Sequence, residues 1–221
     1  MPIACKPIMG SQVLNKKPYG FTTLLADDES NNNVSLLGMP SENDWVLNSL
    51  AYDPSMIRDY LSYTLAANMG NYAPRVKYIE VIVNDDYKGV YILTEKIKRD
   101  SDRVNLKKID DEDIDSPEVT GGYIVKADKT TGGDVVAWTM PNYGGWETDF
   151  LHHYPQTEDI TAEQAAYIET VFRDLETQTN PANTSLINGY PSIIDIPSFV
   201  DYMIMAEIAS NPDSYQFSTF F

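Results

Sequence analysis

The sequence has 221 residues, 43% apolar and 11% aromatic, enough to bury a core and too aromatic for a disordered chain. Sixteen Lys and Arg oppose 33 Asp and Glu, a formal charge of −17. That balance excludes nucleic acid or an anionic membrane as the main partner, because a polyanion needs a basic footprint, but it leaves room for a small phosphate ligand.

The start, Met1 to Met9, lacks a basic end followed by an apolar core, so it does not read as a signal peptide. No apolar run approaches the ~18–20 residues that span a bilayer. Cys5 is the single cysteine, which excludes an internal disulfide, and no Cys/His cluster offers a zinc site. Lys17 to Leu25 has the aromatic and β-branched character of a strand, and Asp27 to Asn33 is a polar loop. Asp53 as N-cap, Pro54 at the first helical position and Gly70 as a stop predict a helix over 54–69. Ile57, Leu61, Leu65 and Met69 would be its buried face.

A hairpin follows, with one strand over 76–83, a turn over 84–89 and a return from Val90 to Leu93. Both strands are apolar on both faces, which predicts a central place in a sheet for the pair. Gly121 to Lys126 predicts another strand, and Thr130 to Tyr154 reads as irregular. A helix over 162–177, capped by Thr161, would bury Ala165, Ile168, Val171, Phe172 and Leu175. A third over 197–209 would bury Val200, Met203, Ile204 and Ile208. Ser210 to Asp213 is a turn, and Ser218 to Phe221 is an apolar, strand-like end of the kind a fragment has. Strands early and helices late suggest an α+β fold with two lobes.

Charge is uneven along the chain. Lys88 to Lys108 holds seven basic and three acidic residues, a +4 window in a chain that is −21 elsewhere. Asp110 to Glu118 follows with six acids in nine residues, a solvated loop.

Few motifs carry chemistry. His152 and His153 are adjacent, so they diverge on any regular element, and they read as loop residues filling space beside Tyr154. No glycine-rich phosphate loop occurs. Asp213, with Asn211 two residues before it, stands on a short loop between a helix and a strand. A phosphotransferase could hold its base there, since the hydroxyl under attack must lose a proton to a fixed carboxylate. An ordinary Asn-Pro-Asp turn would look the same. Trp138, Trp146 and the nearby tyrosines could contact carbohydrate or simply pack.

Five segments carry a family resemblance. They are Gly10-Ser-Gln-Val-Leu-Asn-Lys-Lys-Pro-Tyr-Gly-Phe21, Val34-Ser-Leu-Leu-Gly-Met-Pro-Ser-Glu-Asn-Asp-Trp-Val-Leu47 and Gly89-Val-Tyr-Ile-Leu-Thr-Glu-Lys-Ile97. Gly121-Gly-Tyr-Ile-Val-Lys126 and Glu207-Ile-Ala-Ser-Asn-Pro-Asp213 with Ser218-Thr-Phe-Phe221 complete them. In this order they resemble the CotH kinase family, named after spore coat protein H, over essentially the whole chain.

The resemblance implies a two-lobed, protein-kinase-like α+β fold, truncated at the C-terminal end. Residues of about 13–110 would form N-lobe-like strands and a helix, and about 120–221 a mixed, mainly helical part ending in the catalytic loop. It implies an atypical kinase that uses ATP and Mg2+ to phosphorylate Ser or Thr of envelope or coat proteins. The location would be extracellular or the cell envelope of a bacterium. A non-catalytic structural or binding module on the same fold is the alternative.

Residue by residue, the resemblance makes Asp213 the catalytic base. Lys16 or Lys17, with Lys16 favoured, would hold phosphates. Glu95 would pair with a lysine or line the nucleotide cleft, and part of the basic window could draw ATP toward that cleft. Arg58 matches a recurrent family position without a defined role. Asn211 and Ser218 are the implied magnesium ligands within the chain. Ser218 stands where an ordinary kinase has Asn, with four residues between it and the Asp.

Two departures accompany this. The family's Trp-Asp-x-Asp-like metal element would follow Phe221, and Ile8-Met-Gly-Ser-Gln12 lacks the family's arginine. A partial active site is therefore expected.

Overall fold

A computed structural model of the chain describes residues 3–7, 16–130, 133–141, 145–179 and 182–221, with residues 4–7 described by backbone alone. The first six residues of the Gly10–Phe21 motif lie outside these, as do Gly132 and Gly144. The described residues form two antiparallel sheets and three α-helices, an α+β chain. They divide into two compact units, residues 1–97 with 102–104, and residues 98–101 with 105–221. No helix among them is long and apolar enough to cross a membrane.

The first unit is a five-stranded sheet with one helix. Its elements are β1 (Ile3–Pro7), β2 (Tyr19–Thr23), β3 (Asp44–Asn48), α1 (Arg58–Asn68), β4 (Val76–Val83) and β5 (Asp86–Glu95). The strand order is β1-β2-β3-β5-β4. Met39, Trp45 and Leu93 are its fully buried apolar centre, with Phe21, Leu36, Leu47 and Ile79 packed on them.

The hairpin differs from expectation in two ways. The turn is only Asn84 and Asp85, both at positive φ (50° and 63°). Two such residues match the right-handed twist of the paired strands. Only β5 is central; β4 is the edge strand and leaves Ile82 67% exposed.

The helix α1 begins four residues later than predicted, because Met56 takes φ 58°, a conformation no helix contains. The Asp53 carboxylate still serves this end, accepting the Ser55 and Arg58 N–H groups at 3.0 and 2.8 Å. These bonds, with the Ser55 hydroxyl foremost, hold its pKa at about 2 against the opposing pull of burial. Of the expected apolar face only Leu65 is half-buried; Ile57, Leu61 and Met69 are exposed. Asp59, Ser62, Tyr63 and Ala66 are half-buried as well, at helical spacing. Asn48 donates to the Asp59 carboxylate, tying α1 to β3. Tyr60 stacks on Tyr78 of β4, ring centroids 5.0 Å apart.

The second unit has a four-stranded sheet. Its elements are β6 (Ile124–Ala127), β7 (Trp138–Pro141), β8 (Glu147–Tyr154), α2 (Ala162–Thr179), α3 (Ile196–Ala209) and β9 (Thr219–Phe220). The order is β7-β8-β6-β9. The stretch over 130–154, expected to be irregular, thus contributes two strands. Their inner side chains build the core: Trp138 stacks on Phe150 at 5.3 Å, and Phe172 of α2 meets both rings. Thr161 caps α2 as expected. Its hydroxyl accepts the Gln164 N–H while the Gln164 side chain accepts the Thr161 N–H, a capping box.

The helix α3 corrects a second burial expectation. Val200, Met203, Ile204 and Ile208 are all at least 40% exposed, and Ala206 is its one buried residue. Apolar residues surround this helix on nearly every side, so spacing alone could not select the inner face. A cavity of about 410 Å³, bounded by Val171, Leu175, Ile194, Phe199 and Phe220, runs along it.

Gly122 leads into β6 where the backbone of another segment passes. A Cβ there would lie 2.3 Å from the Lys107 carbonyl oxygen and 2.7 Å from Leu106 Cβ. Gly122→Ala is therefore expected to lower stability by about 1–3 kcal/mol, the usual cost of overpacking, because backbone cannot rotate aside. Urea denaturation midpoints of the two proteins would measure it.

Candidate functional site

The loop from Ser210 to Ser218 is shaped by its own backbone. Ser210 ends α3 in the left-handed conformation (φ 48°), and its N–H still reaches the Glu207 carbonyl. Ser in place of the usual Gly makes this a mildly strained helix end. The Asn211 side-chain oxygen accepts the Asp213 N–H at 3.1 Å, an Asx turn. The Asp213 carbonyl then accepts the Phe217 N–H at 2.8 Å, closing one helical turn. Tyr215 fastens the loop to α3 through its hydroxyl, 3.1 Å from Glu207.

Pairing of β9 with β6 completes the site. Ala127 lies opposite Thr219, so the next residues outward, Asp128 and Ser218, face each other. The Ser218 hydroxyl donates to Asp128 at 3.4 Å. Asp128 also accepts the Lys129 N–H at 2.9 Å and pairs with Lys126. Burial alone would raise the Asp128 carboxyl; the Lys126 and backbone bonds outweigh it and hold the group below its ordinary range.

The Lys129 ammonium lies 3.3 Å from the Asp213 carboxylate and 4.5 Å from the centroid of the Phe217 ring. Both members of the pair are about half exposed. Asp213, Asn211 and Ser218, chosen from sequence, thus share one loop. Asp128 and Lys129 join them without having been expected from any motif. The alternating charge of Lys126-Ala-Asp-Lys129 just past a strand was the one signal that could have flagged them.

The other chosen residues lie in the first unit. Lys16 donates to the Val90 carbonyl, with its ammonium 4.6 Å from the centroid of the Tyr91 ring. Partial burial pulls its pKa below the ordinary lysine value. Lys17 contributes its carbonyl, which accepts the Tyr91 hydroxyl at 3.1 Å.

Glu95 does not pair with a lysine. Its side chain is fully buried, one oxygen 2.9 Å from the Arg75 guanidinium and the other accepting the Arg75 N–H at 2.9 Å. Arg58 sits at the start of α1, its guanidinium 3.6 Å from Asp53.

Much of the basic window is engaged structurally. Arg103 is buried, donating to the Lys96 and Asp44 carbonyls at 2.8 and 2.9 Å. Arg99 donates to the Leu106 carbonyl, and Lys88 and Lys108 pair with Asp86 and Asp110.

His152 and His153 lie on β8, not in a loop. Their rings meet Trp138 and Phe220 respectively, and burial lowers the His152 pKa. Trp138 is 5% exposed inside the aromatic core, which removes it from any carbohydrate surface. Among the described residues, no three His, Cys, Asp or Glu side chains gather as a metal set.

Asp213 and Lys129 thus form a half-exposed ion pair at the helix-to-strand loop of an α+β chain. The family described as CotH kinase protein matches residues 9–221, and the chain belongs to that family. Membership points to a kinase-like or spore-coat-related role. No curated protein matches the sequence significantly.

Proposed function

We propose that the chain acts as an atypical protein kinase, transferring the γ-phosphoryl group of ATP to a Ser or Thr hydroxyl of a bacterial envelope or coat protein. The observation that carries this is Asp213, held on the α3–β9 loop of a chain that belongs to a kinase family throughout. The acceptor oxygen attacks the γ-phosphorus, its proton passes to the Asp213 carboxylate, and the bond to the β–γ bridging oxygen breaks to release ADP. Lys16, whose ammonium already rests on a carbonyl and a ring face, is the phosphate-holding cation of the first unit.

Magnesium requires hard oxygen donors, and the carboxylate of Asp128 facing the hydroxyl of Ser218 supplies two. Ser218 and Asn211 would hold the ion with Asp128, each giving up a present bond: Asp128 those from Lys126 and the Lys129 N–H, Ser218 the one to Asp128, and Asn211 the one from the Asp213 N–H. Bound there, magnesium would neutralise phosphate charge.

The test is incorporation of label from γ-labelled ATP into the chain and into a Ser/Thr-rich acceptor protein, comparing wild type with Asp213→Asn. Label from wild type alone supports the kinase. Equal label, or none from either, favours a binding or structural module instead.

A further inference from the structure

Lys129 has no role in the mechanism above, yet among the described residues it is the cation paired with the proposed base. Its ammonium stands 3.3 Å from one Asp213 oxygen and 4.5 Å from the centroid of the Phe217 ring, two contacts that limit where it can swing. Its backbone is fixed by the Asp128 carboxylate, itself hydrogen-bonded by Ser218. The lysine is thus anchored at both ends to the loop that carries Asp213.

We infer that the Lys129 ammonium binds the γ-phosphate oxygens of ATP as an ion pair and, in the nucleotide-free protein, occupies Asp213 until the nucleotide arrives. The inference rests on the phosphotransferase reading. A base that takes a proton from the attacking hydroxyl must lie beside the γ-phosphoryl group, so a cation within hydrogen-bonding distance of the base is within reach of the phosphoryl oxygens too.

The exchange is favourable. A half-exposed Lys–Asp pair contributes little, because solvent screens it and two side chains must be ordered. A terminal phosphate offers more charge and three acceptor oxygens. Moving the ammonium from carboxylate to phosphate frees Asp213 as an acceptor at the moment the substrate is present. No bond forms or breaks in this step.

The experiment is calorimetric titration of the chain with ATP and with ADP, each with magnesium, for wild type, Lys129→Ala, Lys129→Arg and Asp213→Asn. Lys129→Ala is expected to lose about tenfold in ATP affinity, the effect of one charge-assisted bond, with ADP affinity unchanged. Lys129→Arg should keep most of the preference for ATP. A purely structural lysine would change both nucleotides alike. An ATP-to-ADP ratio equal in wild type and Lys129→Ala overturns the inference alone, provided Asp213→Asn still abolishes label transfer. A wild type that binds neither nucleotide overturns the inference together with the kinase reading.

Discussion

Asp213→Asn is expected to slow phosphoryl transfer by about 10²–10⁴-fold, the usual worth of a positioned general base, while the melting temperature stays nearly constant. The substitution isolates one property. Asparagine keeps the size of the side chain but cannot take up the acceptor's proton. The bond that shapes the turn comes from the Asp213 backbone N–H to Asn211, so it survives. The one ion pair lost, to Lys129, is half exposed and contributes at most ~1 kcal/mol. Initial rates of label incorporation, measured beside thermal melts of the same samples, separate the chemistry from the fold. A rate equal to wild type removes Asp213 from the base's role.

Glu95→Ala is expected to do the reverse and act mainly on stability, by about 1.5–3 kcal/mol. The loss is that of charge-assisted hydrogen bonds to a buried carboxylate, because the Arg75 left behind is half exposed and can turn to water instead of remaining a buried unpaired charge. Both carboxylate oxygens are engaged by Arg75, whose guanidinium also donates to the Asp102 carbonyl at 2.8 Å. The pair therefore fixes the end of β5 and the strand beside it, together with the segment over 102–104. Glu95→Gln, which keeps an oxygen for the Arg75 N–H, should recover part of the loss. Urea midpoints check the stability, and an ATP titration checks the competing role. A fall in ATP affinity with an unchanged midpoint would return Glu95 to the nucleotide site.

The elements easiest to read were those whose ends carry their own chemistry. Thr161 and Gln164 mark the start of α2, and Asn84 with Asp85 mark a turn whose length alone was misjudged. The strands β7 and β8 were missed because the glycine-rich stretch between them and the isolated Trp138 suppress any alternating pattern. In α1 and α3 the periodicity was real but the inward face was not legible, since both helices carry apolar residues on several sides.

The site divides in the same manner. Asn211, Asp213 and Ser218 lie within eight residues and could be chosen together. Lys129 is 84 residues from Asp213, and Asp128 is 90 from Ser218. Only the pairing of β6 with β9 joins them, and no local pattern announces a partner so far along the chain.

The two-residue turn between β4 and β5 also leads into a pairing on which Lys16 depends. Beyond it, the register shifts between Val81 and Ile82, and Gly89 takes φ 87° opposite that irregularity. Next in line come Val90 and Tyr91, the carbonyl and the ring against which Lys16 rests. A one-residue slip of this pairing would send Tyr91 to the opposite face of the sheet. The lysine would lose its ring and its carbonyl without any change to its own codon. A slip in this hairpin would thus be felt at a lysine 74 residues away in the chain.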